Sequence, residues 1–218
     1  MKKLIIIPLF FLFSEFKMAR PVYEVQDVFT VNEIIYYGLD FSQLVITGSL
    51  NQFDGAGQVT PTNVRDKYFP GWNSVVINEA KKYNLAGAFR KASVPYDLSI
   101  VEKRNLLRDP ETIFTNSSDR ASLDYQAISK VISEYEFTRK EGIGLVFIME
   151  LFDKGLEKGV MHVTLFDIAS KKVLITSRMT GRPGGIGIRN YWIKSVFDVI
   201  RQIENGEYKR WKMNYNGR

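Results

Sequence analysis

A glycine-rich segment between an apolar strand and a helix is the candidate anion-binding site of this sequence. Residues 181–187 read GRPGGIG, and a second arginine follows two residues later. Glycines let backbone N–H groups approach a phosphate at the start of a helix, and arginine can hold the same anion. The residues of this candidate site are Arg182, Gly184, Gly185, Gly187 and Arg189.

The same segment departs from the dinucleotide-binding fingerprint in ways that favour a structural role. Asn190 occupies the position of the third glycine, and no strand with an acidic ribose ligand follows the last helix. The alternative is that the glycines turn the chain sharply and let Trp192 pack against the sheet as an anchor. We favour this structural interpretation over anion binding.

Three carboxylates near the ends of predicted strands offer a different chemistry. Glu150, Asp153 and Asp167 lie in the C-terminal strand region, and two such groups can hydrolyse a glycosidic bond by acid–base catalysis. Together with Arg182 and Arg189 they suggest a hydrolase directed at glycans or phosphorylated substrates. Nothing in the sequence sets their spacing, and solvated turn residues are the simpler interpretation.

The remaining reactive side chains argue against catalysis. His162 is the single histidine, so a His-rich metal site is excluded, and no serine has a nucleophile-elbow context. The chain has no cysteine, which excludes thiolate metal sites and a cysteine nucleophile. We therefore expect a protein that is not an enzyme, with no cofactor and no metal.

The N-terminus has the pattern of an export signal. Met1–Lys3 is basic, Leu4–Phe13 is almost wholly apolar, and Ala19 is a candidate cleavage position. The apolar run is too short for a membrane span, so the mature chain should have none; an uncleaved anchor is the alternative. Without a cysteine, lipid anchoring as a bacterial lipoprotein is excluded. We expect export to the periplasm, the outer membrane surface or the exterior of a Gram-negative bacterium.

Composition and charge narrow the classes of partner. The chain has 218 residues, is 45% hydrophobic and carries a formal charge of +6, which is typical of an ordinary globular domain. This mild excess of positive charge allows peripheral contact with an anionic surface but does not indicate a nucleic-acid binder.

Apolar periodicity predicts an α+β fold, a mixed sheet with the order β-α-β-α-β-β-β-α. The predicted strands are Asp40–Gly48, Val94–Val101, Gly142–Phe152, Val160–Ile168 and Val173–Thr180. The predicted helices are 72–83, Ser122–Tyr135, with Ser118 or Asp119 as its cap, and Asn190–Ile203, which should stop at Asn205-Gly206. The third of the predicted strands is apolar on both faces over Leu145–Met149, as a central strand requires. The last three strands should form an antiparallel meander on which the final helix packs.

The predicted organisation is one domain with flanking segments. Residues 1–19 form the signal, 20–39 an N-terminal extension, 40–206 a single α+β domain, and 207–218 a basic, aromatic tail. The tail aromatics are Tyr208, Trp211 and Tyr215. They are consistent with contact to a membrane surface or a glycan, but we favour packing of Trp211 on the core.

The C-terminal half carries a family resemblance. The run VTLFDIASKKVLITSRMTG, followed by GGIGIRNYW and an amphipathic helix, resembles an uncharacterised family of secreted proteins from Bacteroidetes-type bacteria. More distantly, the hairpin with Asp167 before its turn is similar to the group of CsgG, the TolB N-terminal domain and the penicillin-binding-protein activators. The resemblance implies an envelope protein that binds partners or assembles with itself, and it assigns no functional residues.

Overall fold

The computed structural model describes residues 22–48, 59–115 and 122–216. The predicted signal, and Ser118 and Asp119, lie outside these residues. The strands are β1 Ile35–Asp40, β2 Val45–Thr47, β3 Phe114–Thr115, β4 Ile143–Asp153, β5 Lys158–Asp167 and β6 Val173–Gly181. The α-helices are α1 Pro61–Asn63, α2 Phe69–Asn78, α3 Leu85–Ala88, α4 Ser99–Leu106, α5 Tyr125–Ser133, α6 Gly187–Gln202 and α7 Tyr208–Asn216. Turns of 3-10 helix lie at Val25–Phe29 and Pro110–Thr112, and turns of π-helix at Val64–Tyr68 and Ile203–Glu207.

The six strands form one mixed sheet in which β4 is central. The sheet order is β3-β2-β4-β5-β6, and β1 also pairs with β4. β1 and β2 lie end to end along the same side of β4 and run parallel to it, with Asp40 opposite Ile148 and Val45 opposite Leu151. β4, β5 and β6 form an antiparallel meander. The predicted α+β fold with a mixed sheet is confirmed.

Helices cover both faces of β4, which explains its apolar sequence. Leu145, Phe147 and Met149 belong to one buried cluster with residues of α2 and α6, whereas Val146 and Ile148 face a second cluster that includes α5. Successive side chains of a strand point to opposite faces, so a strand buried on both sides needs an unbroken apolar run. This double burial holds β4 at the centre of the molecule.

The final helix lies close to the sheet at a contact of small residues. A Cβ atom on Gly181 would lie 1.9 Å from the carbonyl oxygen of Ser195, so the end of β6 must be glycine. Ser195 is fully buried, and the apolar stripe of the helix is buried beside it at Trp192, Val196, Val199, Ile200 and Ile203. The glycine therefore sets how closely α6 packs on the sheet.

The prediction of a strand at Val94–Val101 is wrong, because the chain forms a turn there and then α4. The Asp97 carboxylate accepts hydrogen bonds from the backbone N–H of Ser99 at 3.1 Å and from its hydroxyl at 2.5 Å. This local bonding satisfies the start of a helix and outweighs the weak alternation of the segment. The segment meets β1 at Tyr36 alone, through an isolated bridge between Tyr36 and Tyr96, so no strand forms among these described residues.

The first predicted strand, Asp40–Gly48, has different boundaries in the structure. The amide of Phe41 bonds the Asn105 side chain at 2.7 Å, and Leu44 N–H closes a turn on the Phe41 carbonyl at 3.0 Å. The turn separates β1 from β2. Five residues of β1 come from 35–39, inside the segment predicted as an N-terminal extension. A two-residue strand, β3, also forms at Phe114–Thr115, where no strand is predicted.

The predicted helices are present with shifted ends. α2 begins earlier than predicted and ends at Asn78, and the separate short helix α3 follows it at Leu85–Ala88. α5 is capped by Asp124, whose carboxylate accepts the Ala127 N–H at 2.8 Å. The predicted stop at Asn205-Gly206 is wrong, because a π-helical turn carries α6 into α7. The extra residue in that turn lets Tyr208 and Trp211 of the predicted tail stay buried.

Candidate functional site

Three ionisable side chains meet across the meander, on the sheet face that α5 partly covers. His162 and Arg178 are direct neighbours on β5 and β6, and Glu150 is the extra residue of a β-bulge between Met149 and Leu151. Regular alternation places Glu150 on the same face as Val146 and Ile148, and the strand register brings it next to His162 and Arg178. His162 Nε2 lies 2.7 Å from Glu150 Oε2, and Arg178 Nη2 lies 2.6 Å from Glu150 Oε1.

The electrostatics of this cluster keep Glu150 ionised. Burial raises the pKa of Glu150, but hydrogen bonds from His162 and Arg178 outweigh it and lower the pKa from 4.5 to about 2. The backbone N–H of Leu123 adds a further bond to Oε2 at 3.3 Å. A carboxylate with this pKa is a poor general acid at neutral pH, and its oxygens already have partners. Its chemistry is that of a structural ion pair that ties three strands together.

The structure does not bring the three predicted carboxylates together. Asp153 accepts the Leu156 N–H at 2.8 Å, and Asp167 accepts the Ser170 N–H at 2.7 Å. In the register of the β4–β5 pair, Asp153 and Asp167 lie at opposite ends, ten positions apart along β4. At about 3.3 Å per residue this separates them by roughly 30 Å, far beyond the distance that two-carboxylate hydrolysis requires.

His162 is buried and engaged within the cluster. Its side chain is 5% exposed, and its Nε2 atom contacts Glu150. Among the described residues, no serine hydroxyl forms a hydrogen bond with the ring. This arrangement gives His162 a partner for orientation but no nucleophile to activate.

Two backbone N–H groups of the glycine loop donate hydrogen bonds to other groups of the protein. The Arg182 N–H donates to Asp198 Oδ2 at 2.9 Å, and the Gly184 N–H donates to the Tyr191 carbonyl at 3.0 Å. The Asp198 carboxylate also places a negative charge where an anion would have to bind. Gly185 and Gly187 have φ angles of 101° and 77°, values that favour glycine in a tight turn.

The two arginines and the tryptophan of the loop region play different parts. Arg182 and Arg189 are exposed at the surface, and the Arg189 carbonyl accepts a bond from Trp72 Nε1 at 3.0 Å. Trp192 is fully buried and stacks on Phe152, with ring centroids 4.5 Å apart. The loop geometry therefore serves the packing of α2 and α6 on the sheet.

A second polar cluster lies at the carboxyl end of β1, where sequence reasoning placed no site. The buried Asp40 accepts a hydrogen bond from Tyr135 Oη at 2.6 Å and pairs with Arg104 Nε at 3.3 Å. Burial and the Asp40 charge raise the pKa of Tyr135 well above its usual range. An open cavity of about 330 Å³ borders the cluster, lined in part by Ile100, Arg104 and Tyr135.

This position is where ligands bind in many parallel sheets, and an aspartate closing an apolar run was the signal that could have revealed it. The run IIYYGL before Asp40 falls within the predicted N-terminal extension, where no strand is predicted. The Asp40 carboxylate is satisfied by the protein itself, because Ser42 N–H also donates to it at 2.7 Å. The cluster therefore forms a rigid wall of the cavity.

A polar cleft separates β6 from α7. Its volume is about 390 Å³, and its lining consists of Ile175, Thr176, Ser177, Arg210, Trp211, Asn214 and Tyr215. Trp211 is buried at the base, where it packs near Phe89. The cleft thus lies between the outer strand of the sheet and the helix formed by the predicted basic tail.

Comparison with protein-family models, curated proteins and solved structures gave no match to this chain. Within residues 22–48, 59–115 and 122–216, no three His, Asp or Glu side chains are grouped so as to hold a metal ion. In the same ranges, no helix is long and apolar enough to cross a membrane.

Proposed function

We propose that the protein is a non-enzymatic module of the bacterial envelope that binds a partner or assembles with itself. One observation carries this proposal: the ionisable side chains that the sequence nominates for catalysis are engaged in internal contacts. Glu150 is held by His162 and Arg178, and Asp153 and Asp167 each accept backbone N–H groups. Because these groups already have partners within the protein, we expect the protein to act by binding at its surface.

The location follows from the sequence. The basic start and the apolar run Leu4–Phe13 support export, and the absence of cysteine argues against a lipoprotein anchor. The resemblance of residues 163–192 to secreted and envelope proteins points the same way. The periplasm, the outer membrane surface and the exterior are the compartments in which we expect its partners.

The two alternatives have less support. A glycan- or phosphate-directed hydrolase needs two carboxylates within about 10 Å of each other on one site, whereas Asp153 and Asp167 lie at opposite ends of the meander. Anion binding at the glycine loop needs free amides, and those of Arg182 and Gly184 already have protein partners.

Affinity capture tests the proposal. The full chain carrying a C-terminal tag is recovered from the envelope fraction of its own bacterium after brief formaldehyde crosslinking. We expect one or a few partners, or the protein itself, in near-stoichiometric amounts that an unrelated tagged export protein does not capture. The opposing result is turnover: hydrolysis of a glycoside or phosphate ester by the purified protein, reduced by Glu150→Gln, would overturn the proposal.

A further inference from the structure

We propose that the outer edge of β6 binds an acidic, extended segment of a partner polypeptide, which adds to the sheet as a further strand beside α7. This inference rests on the proposed binding function and names its site and the chemistry of its partner. Four features carry it: unpaired backbone groups, the contrast with the opposite edge of the sheet, the absence of edge protection, and a cationic cleft.

Several backbone N–H and C=O groups of β6 point away from β5, and those of Thr176 and Arg178 have no partner among the described residues. Gln202 Nε2 donates to the Thr180 carbonyl at 2.9 Å, so the backbone of Thr180 faces away from β5. Backbone direction alternates along a strand, and the pairing from Ile175 to Gly181 is regular, so Thr176 and Arg178 face the same way as Thr180. Within the described ranges, no bond reaches the N–H or C=O groups of Thr176 and Arg178.

The opposite edge of the sheet does not offer such a run. β3 contains two residues. The outer side of β1 is covered, because Tyr36 N–H donates to the Pro95 carbonyl at 2.8 Å and Asp97 N–H donates to the Tyr36 carbonyl at 3.0 Å. Among the residues that the structure describes, β6 is therefore the edge with several consecutive positions that could pair with a new strand.

Between Ile175 and Gly181, β6 also lacks the features that keep sheet edges from pairing; its bulge lies before this stretch, at Leu174. Such edges usually carry lysine, proline, a bulge or a charge pointing along the sheet. The stretch Leu174–Gly181 contains no lysine and no proline. Its one charged residue, Arg178, lies over the sheet face and bonds Glu150. Its guanidinium therefore does not prevent another strand from pairing at the edge. The β-branched residues Thr176 and Thr180 have side chains well suited to a strand.

The cleft beside β6 indicates an acidic partner. Alternate side chains of an added strand would point toward α7, whose exposed Arg210 lines the cleft. Lys209 and Lys212 of the same helix are also exposed. Arg210 contacts Glu207, but an exposed ion pair of this kind exchanges at little cost. A second copy of the chain would bring α7 and Arg178 of both molecules together, and the like charges would repel.

Selection of peptides tests the site directly. The full chain, immobilised through a tag, is presented with a phage library of random twelve-residue peptides, and enriched sequences are synthesised with a fluorescent label. We expect enriched peptides to carry Asp or Glu at alternating positions. In NMR spectra of the labelled protein, the amide protons of Thr176 and Arg178 should exchange more slowly once such a peptide is bound.

Variants of one position separate backbone pairing from side-chain contact. Thr176→Pro removes an N–H that faces away from β5, so the β5–β6 ladder is preserved while strand addition is blocked. Thr176→Val is the matched control, since it loses the same hydroxyl contact with Thr164 but keeps the N–H. We expect Thr176→Pro to weaken peptide binding by about tenfold or more, and Thr176→Val by less than about threefold. If Thr176→Pro fails to fold, the wild-type protein is tested against peptides whose backbone amides are N-methylated at alternate positions, which blocks strand pairing without changing the protein; one of the two methylation registers should abolish binding.

Charge reversal tests the acidic preference. Arg210→Glu should weaken binding of the acidic peptides by about tenfold, because the cleft then repels them. Arg201→Glu is the control: Arg201 forms the same type of pair with a glutamate three residues later, but it does not line the cleft. This variant should leave binding unchanged.

The results that overturn the inference differ from those that overturn the proposed function. Enriched peptides without acidic residues, or peptides that bind folded Thr176→Pro and wild type equally, overturn the inference. So does a dimer through β6, or occupation of this edge by the chain's own N-terminal residues. If the envelope partner is nevertheless captured equally by wild type and Thr176→Pro, the proposed function stands and only this site is refuted.

Discussion

Replacing Glu150 by glutamine should change how the stability of the protein depends on acid pH. Although burial raises the pKa of Glu150, hydrogen bonds from His162 and Arg178 lower it from 4.5 to about 2. Because the pKa is lower in the folded than in the unfolded protein, the carboxylate stabilises the fold above pH 4.5. This contribution is lost as the pH falls toward about 2.

The size of the expected change in unfolding free energy follows from the pKa shift of Glu150. A shift from 4.5 to about 2 corresponds to about 3 kcal/mol of unfolding free energy. Arg178 is 45% exposed, so solvent screens its attraction and we expect about 2 kcal/mol. About half of this, roughly 1 kcal/mol, should disappear between about pH 6 and about pH 3.

Urea unfolding followed by tryptophan fluorescence measures the difference. The free-energy gap between wild type and Glu150→Gln should narrow by about 1 kcal/mol from about pH 6 to about pH 3. Glu33→Gln is the control, since Glu33 pairs with Arg139 at 3.2 Å on the surface and should show a change below about 0.5 kcal/mol. A gap of constant size for Glu150→Gln would refute the assignment of Glu150 as a stabilising carboxylate.

Three further predictions concern packing and a buried lysine. Gly181→Ala should destabilise the fold by about 1 to 3 kcal/mol in urea unfolding, because its Cβ would collide with Ser195, whereas Gly184→Ala, with its nearest atom at 3.8 Å, should be tolerated. Trp192→Ala should cost about 3 to 5 kcal/mol by the same assay, since the ring is fully buried; a loss below about 1 kcal/mol contradicts its role in packing. Burial lowers the pKa of Lys91 to about 8. The ammonium group therefore opposes folding below this pH, and wild type should gain about 1 to 2 kcal/mol relative to Lys91→Met between about pH 8 and about pH 10. An unchanged difference across that range contradicts the lowered pKa.

The parts of the fold that sequence predicts well are those whose signal is local. Each of these signals can be recognised within about a dozen residues: the apolar run of β4, the turn between β5 and β6, and the apolar stripe of α6. The strand expected at Val94–Val101 fails for a local reason too, because Asp97 bonds Ser99 and starts a helix. The stop expected at Asn205-Gly206 fails because buried Tyr208 and Trp211 hold the helix beyond it.

The polar clusters depend on register between distant strands, which sequence spacing does not reveal. Glu150, His162 and Arg178 meet because of the pairing register across β4, β5 and β6. Asp40 meets Tyr135 because β1 is parallel to β4, and β1 itself was not predicted in its correct place. The contact between His162 and Glu150 depends on the same pairing, so the sequence alone does not predict it.

The parallel pairing of β1 and β2 with β4 has a consequence for how the chain folds. β1 ends at Asp40, but its partner positions in β4 begin at Gly144, about a hundred residues later. Loop closure over such a distance must precede the contacts that stabilise it, and this slows folding. During synthesis, the residues of β1 are made before those of β4. They cannot pair with β4 until the last third of the chain is made. We therefore expect completion of the β1–β4 pair to be a late step of folding, with the meander of β4, β5 and β6 formed before it.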